Sequence, residues 1–473
     1  MSLPSLPDAR GATDRNALRI AIALLAGGVT VILASTTVSV ALHGIALDLD
    51  VGVGTVQWVV TAYLLALCVA IPLVAWLLGL VGGRRLWMGG LVLFLLGSVL
   101  CSAAWDAPTL IAARVFQGLG GGVITPLLTT ILMQATPEPD RPRLTSIVAV
   151  STAVGPILGP VIGGLVLGVA DWRWLFLLNV PLCLVGLGLA WRLVPPDDAG
   201  PRVRLDVVGL LLLPPALVGL LWGLSNVTDS APWRGEMLGP IAVGLALLVA
   251  FVAWAVHRRG RALVDLRVLR FRSMWAAAAL LFLSGAALHG ALLLLPLYWQ
   301  QVRGADALGA GLLLIPQGLG SLASRTVAVR LMAVRGGRVV SVLGFLLVAG
   351  GTVPFVFADA GTSTWVLMVA LLVRGLGIGI VVVPLFTVAF AGLQRDEMPH
   401  ASIVIRISQQ MGGAVGVALL AVVLGSVTTA TGSLTTGFAH AFSWAAGFAG
   451  LAMLLSGALP GVARRAGGGP TLR

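Results

Sequence analysis

Fourteen long apolar stretches, separated by short polar connections, set the pattern of this 473-residue chain. They fall at approximately 18–46, 56–78, 87–104, 108–133, 144–169, 174–191, 206–225, 237–257, 274–297, 308–333, 339–358, 364–391, 401–427 and 437–459. A helix needs about 20 apolar residues to cross a bilayer, because each residue advances it by only about 1.5 Å. At that depth no water is present to satisfy open backbone groups, so apolar runs of this length must be helical. The pattern predicts an all-α, polytopic integral membrane protein with 14 transmembrane helices.

Composition agrees with the pattern and changes the meaning of the charge. The chain is 58% hydrophobic and 10% charged, which excludes an ordinary soluble globule. Its net charge of +12 would suggest nucleic acid in a soluble protein; here it serves topology, and no nucleic-acid partner is expected. Every one of the 30 basic residues is arginine. With the N-terminus inside, 22 arginines fall on cytoplasmic segments, among them Arg84, Arg85, Arg335 and Arg338, and three fall outside (Arg173, Arg234, Arg303). That bias places both termini in the cytoplasm of a cell inner membrane. The first 16 residues are polar and lack a small-residue cleavage site, so they read as a cytoplasmic tail. Cys68, Cys101 and Cys183 all lie in apolar runs and read as small buried hydrophobes.

The chain also repeats itself. Gly118, Gly120, Gly122, Gly155 and Gly159 recur 257 residues later as Gly375, Gly377, Gly379, Gly412 and Gly416, and "GGRR" at 82–85 recurs as "GGR" at 336–338, offset by 254. Two halves of six helices, residues 1–200 and 271–473, leave 201–270 as an inserted helix pair with a basic linker, "HRRGRALVDLRVLRFR". Contact with anionic lipid headgroups is enough to explain that linker. Repeated halves in a membrane protein point to alternating access around a central site.

Polar residues inside the apolar stretches are the candidate chemistry. "LASTTVSVALH" (33–43) carries Ser35, Thr36 and Ser39 and ends on His43. Arg114 and Arg374 lie deep within their spans, where an arginine costs several kcal/mol and needs a polar cavity or a partner. His43 and His289 occupy the outer halves of the first and ninth spans, which are repeat partners; they are expected to face one cavity as proton acceptors. Gln57, Tyr63, Gln117, Tyr298, Gln317, Gln409 and Gln410 are candidate cavity walls, although interhelical hydrogen bonds explain the amides equally well. "AVGPILGPVIGG" (153–164) holds Gly155, Pro156, Gly159, Pro160, Gly163 and Gly164, either a close-packing surface or a pliable seam between the halves. The 18 acidic residues all fall in loops, tails or helix ends, so no carboxylate lies near the membrane midplane. Two deep arginines without deep acids favour a neutral, zwitterionic or anionic substrate over a cation.

"RVFQGLGGG", "GPILGPVIGG", "DWRWLFLLNVP" and "QWVVTAYLL" resemble the fourteen-helix drug:proton antiporters of the major facilitator superfamily, a multidrug efflux type. "LDVVGLLLL", "LLPLYWQQVRG" and "LLLIPQGLG" are similar to later segments of the same family, so the resemblance covers nearly the whole chain. It implies a twelve-helix transporter core with two extra central helices, rocking between two open states while proton influx drives efflux of small amphipathic compounds. It also makes Gly82, Arg84 and Arg85 part of a conformational motif in the loop between the second and third spans. Two stretches depart from the family. Ala75 and Gly79 stand where a glycine and an aspartate are usual, and Ala34, Ser39 and His43 where an aspartate, an asparagine and a proline are.

Other chemistry has no signature. There is no "GxxxxGK[ST]" for ATP, no His/Cys cluster with metal-ligand spacing and no paired acids within a span, so neither an enzyme nor a cofactor is expected. The reading is a monomeric secondary transporter whose partners are a small-molecule substrate, protons and membrane lipids. An uncoupled facilitator or importer, and more remotely a non-transporting membrane sensor, share the same fold.

Overall fold

The computed structural model describes residues 9–135, 155, 158–195, 205–225, 235–258, 266–390 and 397–459. Every element among these residues is helical. In chain order they are α1 (Ala9–Asp48), a short α2 (Val53–Val56), α3 (Trp58–Val81), α4 (Gly83–Ser102), α5 (Ala107–Ala135), α6 (Leu158–Leu167), α7 (Arg173–Leu177) and α8 (Asn179–Leu193). Then follow α9 (Val207–Ser225), α10 (Gly235–His257), a 3-10 turn (Leu266–Arg270), α11 (Arg272–Gln301), α12 (Ala307–Leu313), α13 (Ile315–Val356), α14 (Thr364–Ala389), α15 (Met398–Thr431) and α16 (Leu434–Leu455).

Twelve helical segments among the described residues are long and apolar enough to cross a membrane. The fifth and seventh expected spans correspond to shorter apolar helices, Leu158–Leu167 and Val207–Gly223. Of the fifth, residues 144–154 lie outside the described residues, and so does Pro156. Prolines at 72, 126, 214, 215, 240, 296, 354 and 384 sit inside helices, which a membrane helix tolerates when its neighbours re-satisfy the freed carbonyls.

Glycine sets two of the sharpest direction changes. Gly82 separates α3 from α4 at φ 79° and ψ 163°, and Gly336 breaks α13 into two limbs at φ 78° and ψ 164°. A side chain is strained at positive φ, so "GGR" in both halves needs its first glycine there. At the other end Gly432 caps α15 at φ 64°.

The two ends of the bundle are distinct. At the proximal end α1 begins and the Gly82 and Gly336 turns lie; at the distal end α1 finishes at Asp48. There Arg173 Nη1 bonds Asp48 Oδ2 at 3.0 Å and Asp171 Oδ2 at 2.8 Å, while its Nη2 bonds the Ala104 carbonyl at 3.2 Å. Arg303 likewise holds the Asp359 and Ala360 carbonyls at 3.0 and 2.7 Å.

The glycines of the repeat do the same work in both halves. A Cβ on Gly118 would strike Tyr63 of α3, and one on Gly375 would strike Gln317 of α13, a residue 254 positions after Tyr63. Gly122 and Gly379 meet Leu67 and Ser321, and Gly120 and Gly377 meet Phe94 and Val348, each pair again 254 apart. Alternating glycines thus seat α5 against α3 and α4, and α14 against both limbs of α13, at backbone contact. α9 and α10 pack on each other, and α9 touches both α3 and α15, with Trp58 and Trp222 rings 5.6 Å apart.

Candidate functional site

Of the expected α1 hydroxyls, Thr36 reaches another helix, while Ser35 and Ser39 bond within α1. Thr36 and Ser39 are buried; Thr36 Oγ1 bonds the Leu33 carbonyl at 3.2 Å and the Gly155 carbonyl at 3.3 Å. Ser35 and Ser39 bond the Ile32 and Thr36 carbonyls at 2.7 and 2.6 Å. A Cβ on Gly159 would collide with Thr36, and one on Gly163 would lie 2.9 Å from the Thr37 carbonyl. The expectation of a polar cavity wall is corrected at Thr36, whose hydroxyl is taken up by backbone carbonyls where Gly159 of α6 closes on it, while Ser35 and Ser39 are satisfied by carbonyls of their own helix. On its other side α6 meets the second half. A Cβ on Gly164 would lie 2.7 Å from the Ala307 carbonyl, and one on Gly311 would strike Pro160.

Among the described residues each half holds one fully buried arginine. Arg114, on α5, is fully buried; its Nε bonds the Val59 carbonyl at 2.8 Å, its Nη1 bonds Gln117 Oε1, and its guanidinium lies 4.1 Å from the Tyr63 ring centroid. Gln117 Nε2 passes the network to Ser98 Oγ at 2.7 Å. Arg114 Nη2 has no hydrogen-bond partner among the described residues. Arg374, on α14, bonds Thr352 Oγ1 through Nε at 3.2 Å, Gln317 Oε1 through Nη1 and the Ala287 carbonyl through Nη2 at 2.8 Å.

These two centres occupy repeat-equivalent places. Ser98 and Thr352 are 254 positions apart, as are Tyr63 and Gln317, while Gln117 and Arg374 are 257 apart. Arg374 therefore stands where the first half has Gln117, and Arg114 reaches the same place from one turn away. Neither guanidinium has a carboxylate partner among the described residues. Asp206 is the one buried acid among the described residues, and it caps α9 at Gly209. Sequence reasoning missed Ser98 and Thr352; their shared offset was the available signal.

The histidines lie apart. His43 Nδ1 meets Gln301 Nε2 at 3.0 Å, and Gln300 Nε2 bonds the Val40 carbonyl at 2.9 Å, so α1 and α11 are tied together at the distal end. His43 and Gln301 line an open vestibule of about 380 Å³ with Asp50. His289 lies 12 residues before Gln301 on α11, roughly 18 Å along the axis. Its Nδ1 lies 3.2 Å from the Gly285 carbonyl, and Gly413 of α15 leaves room for the ring. The vestibule beside His43 is lined by Gln301 and not by His289, which lies about three turns deeper along α11 against Gly413 of α15.

The remaining candidates divide by environment. Tyr298 packs among Trp299, Phe355, Phe438 and Phe442 and donates its hydroxyl to the Asp359 carbonyl at 3.2 Å; it is an aromatic core residue, not a wall. Gln57 is buried and accepts from Thr61 at 3.1 Å. Gln317 belongs to the Arg374 centre; Gln409 and Gln410 are half-buried on α15. Arg84 Nη2 bonds the Trp191 carbonyl, joining the Gly82 turn to the end of α8, whereas Arg85 is exposed. Among the described residues no group of three His, Cys, Asp or Glu could hold a metal ion.

Asp359 limits where a pH response can arise. The Thr362 hydroxyl, followed by the Gly361 and Thr362 backbone, holds its carboxyl below the usual carboxylate range. A depressed carboxylate contributes its stability above the unfolded value and loses it only as pH falls through the folded one. Asp359→Asn is therefore expected to leave the pH profile of transport unchanged above about pH 5; a shifted profile in vesicles would contradict this.

A family model described as Major Facilitator Superfamily matches residues 24–417. The "Multidrug resistance protein B homolog" of Mycobacterium tuberculosis is 36% identical over 396 residues, covering 82% of this chain and 73% of that protein. The "Probable transport protein HsrA" of Haemophilus influenzae is 30% identical over 391 residues, 82% of this chain and 84% of its own. The "Putative multidrug resistance protein MdtD" of Serratia proteamaculans is 27% identical over 394 residues, covering 83% and 82%.

Proposed function

The chain belongs to the Major Facilitator Superfamily, and on that premise we propose that this transporter exports small amphipathic organic molecules by alternating access coupled to proton influx. The observation that carries the reading is the tie between α1 and α11. Repeat-related halves are joined by His43–Gln301 and Gln300–Val40 at the distal end. Such a contact closes one side of a transporter and must break for the other state to form. The relatives' printed names, two of them multidrug resistance proteins, support efflux of drugs, antibiotics or metabolites.

The arginine bias supports a cytoplasmic-membrane orientation with both termini inside, which makes the distal end external. The proposed organisation is fourteen spans, with residues 1–200 and 271–473 as the moving halves and 201–270 as the inserted pair, acting as a monomer. Buried Arg114 and Arg374, with no carboxylate partner among the described residues, favour neutral, zwitterionic or anionic substrates over cations.

His43 is the proposed proton-sensitive group. In the present geometry Nδ1 accepts from the Gln301 amide; protonation turns it into a donor facing a donor. External protons would then loosen the distal tie. His43→Ala is expected to flatten the dependence of transport on pH between about 5 and 8. An unchanged profile would remove His43 from coupling, and His289→Ala tests the deeper site in the same assay.

Reconstituted vesicles test the whole reading. An imposed pH gradient should drive substrate uphill in a protein-dependent way. Flux that only equilibrates and ignores pH would establish the second reading, an uncoupled facilitator or importer.

A further inference from the structure

A cavity of about 570 Å³ lies at the proximal end, away from both arginine centres and from the His43 vestibule. Its walls include Leu213 of α9, Phe251 of α10, Leu269 of the 3-10 turn, Phe282 of α11, and Ile407 and Met411 of α15. The inserted helix pair thus forms one side and the second half the other. Ser408 and the Trp275 indole are the only polar groups in the lining. A cavity of this size suits a small ligand, and a lining this apolar gives water too few partners to fill it well.

The cavity has the depth and the opening of a lipid site. Along α11 its lining runs from Trp275 to Leu283, about 12 Å of helix, close to the roughly 15 Å hydrocarbon depth of one leaflet. Val252 lines the cavity yet is 42% exposed, and its α10 neighbours Val249 and Val256 are also exposed, so the opening faces the surface that lipid covers.

Charge at the mouth selects the headgroup. Arg258, Arg267, Arg270 and Arg272 are exposed where α10, the 3-10 turn and α11 meet. Arg270 pairs with Glu397 at 2.7 Å, and Arg272 Nε bonds the Ala458 carbonyl at 3.1 Å. Asp206, also at this end, caps Gly209 and accepts from Trp254 Nε1. Residues 257–272 carry six arginines against one acid, Asp265, which makes the mouth positive, and guanidinium is suited to bind phosphate through paired hydrogen bonds.

We propose that this cavity, between the inserted helix pair and the second half, holds the acyl chain of an anionic phospholipid whose phosphate lies among Arg258, Arg267, Arg270 and Arg272. The site depends on membrane embedding and not on proton-coupled export. Its occupant bridges α10 to α11 and α15, so the lipid joins the inserted pair to one half.

Photolabelling of the full chain in vesicles tests this. The probes are phosphatidylglycerol with a diazirine in its acyl chain and phosphatidylcholine with the same chain. Phosphatidylglycerol should label peptides containing Val252 and Trp275–Leu283 about fivefold above the exposed Leu96–Leu100 face of α4, and above the phosphatidylcholine probe by a similar factor. Val252→Trp at the rim and Ala279→Trp inside should each abolish the excess; the rim variant leaves helix packing untouched if the inner one unfolds. Equal labelling of the two faces, equal labelling by the two lipids, or labelling that survives Val252→Trp would overturn the proposal. Displacement by an exported compound but not by unlabelled phosphatidylglycerol would overturn it too, assigning the cavity to substrate. None of these readouts requires transport, so their failure leaves the exporter reading standing.

Discussion

Arg374→Ala is expected to abolish uphill transport and to lower folding stability by on the order of 3 kcal/mol or more. The guanidinium is 1% exposed and reaches three acceptors on three separate stretches: Thr352 on the second limb of α13, Gln317 on its first limb and the Ala287 carbonyl on α11. Removing it leaves all three buried, and each orphaned polar group costs about 1–3 kcal/mol. Hydrogen bonds within membranes average less than that ceiling, about 0.6 kcal/mol, because the unfolded chain also finds partners there. The cavity left by a deleted arginine side chain adds to the loss. Arg374→Lys should not restore transport: its single ammonium is a compact donor that cannot span a fork of three directions. Thermal unfolding in detergent and vesicle transport check both variants. A lysine variant with wild-type transport would show that charge alone suffices, and the three-way tie would lose its role.

Gly412→Ala is expected to destabilise the chain by about 2 kcal/mol or more, while Gly425→Ala on the same helix is neutral or stabilising by up to about 1 kcal/mol. Both replacements improve helix propensity by a similar amount. What differs is the neighbour. A Cβ on Gly412 would overlap the Phe282 carbonyl of α11 and lie 2.6 Å from its carbon, whereas one on Gly425 meets nothing within 4 Å. Gly416 makes the equivalent approach to Ala286 one turn on, and Gly285 approaches Gln409 from the α11 side. Backbone cannot move aside as a side-chain tip can, so the α11–α15 crossing must open, and overpacking of this kind costs about 1–3 kcal/mol. Unfolding midpoints of the two variants give the comparison directly. Equal midpoints would mean that the crossing is looser than the backbone contacts require.

The polar stretch of α1 shows where sequence reading stops. Its hydroxyls were readable as polar groups in an apolar helix, but nothing local says which way they face. Thr36 is settled by the Gly155 carbonyl, 119 residues away, with Gly159 of α6 closing on the same side chain. His43 and His289 lie on repeat-related helices but 246 positions apart, off the repeat offset of 254, and their surroundings differ: Gln301 for one, the Gly413 surface for the other. Arg114 and Arg374 were legible as deep charges, because an arginine within an apolar stretch of helical length has no other place to go. Their acceptors were not legible, since Ser98, Thr352 and the Val59 and Ala287 carbonyls carry no local mark of that role.

By itself the sequence determined that this chain is helical and crosses a membrane, because apolar length and backbone satisfaction inside a bilayer are local requirements. It also determined the repeat, because glycines at constant offsets are needed wherever equivalent helices touch. The tertiary structure alone decided which polar group meets which: Thr36 against the Gly155 carbonyl, arginines against carbonyls and amides, His43 against Gln301. Those pairings join residues up to 260 positions apart, and only the packing of the helices brings such partners within the roughly 3 Å that a hydrogen bond allows.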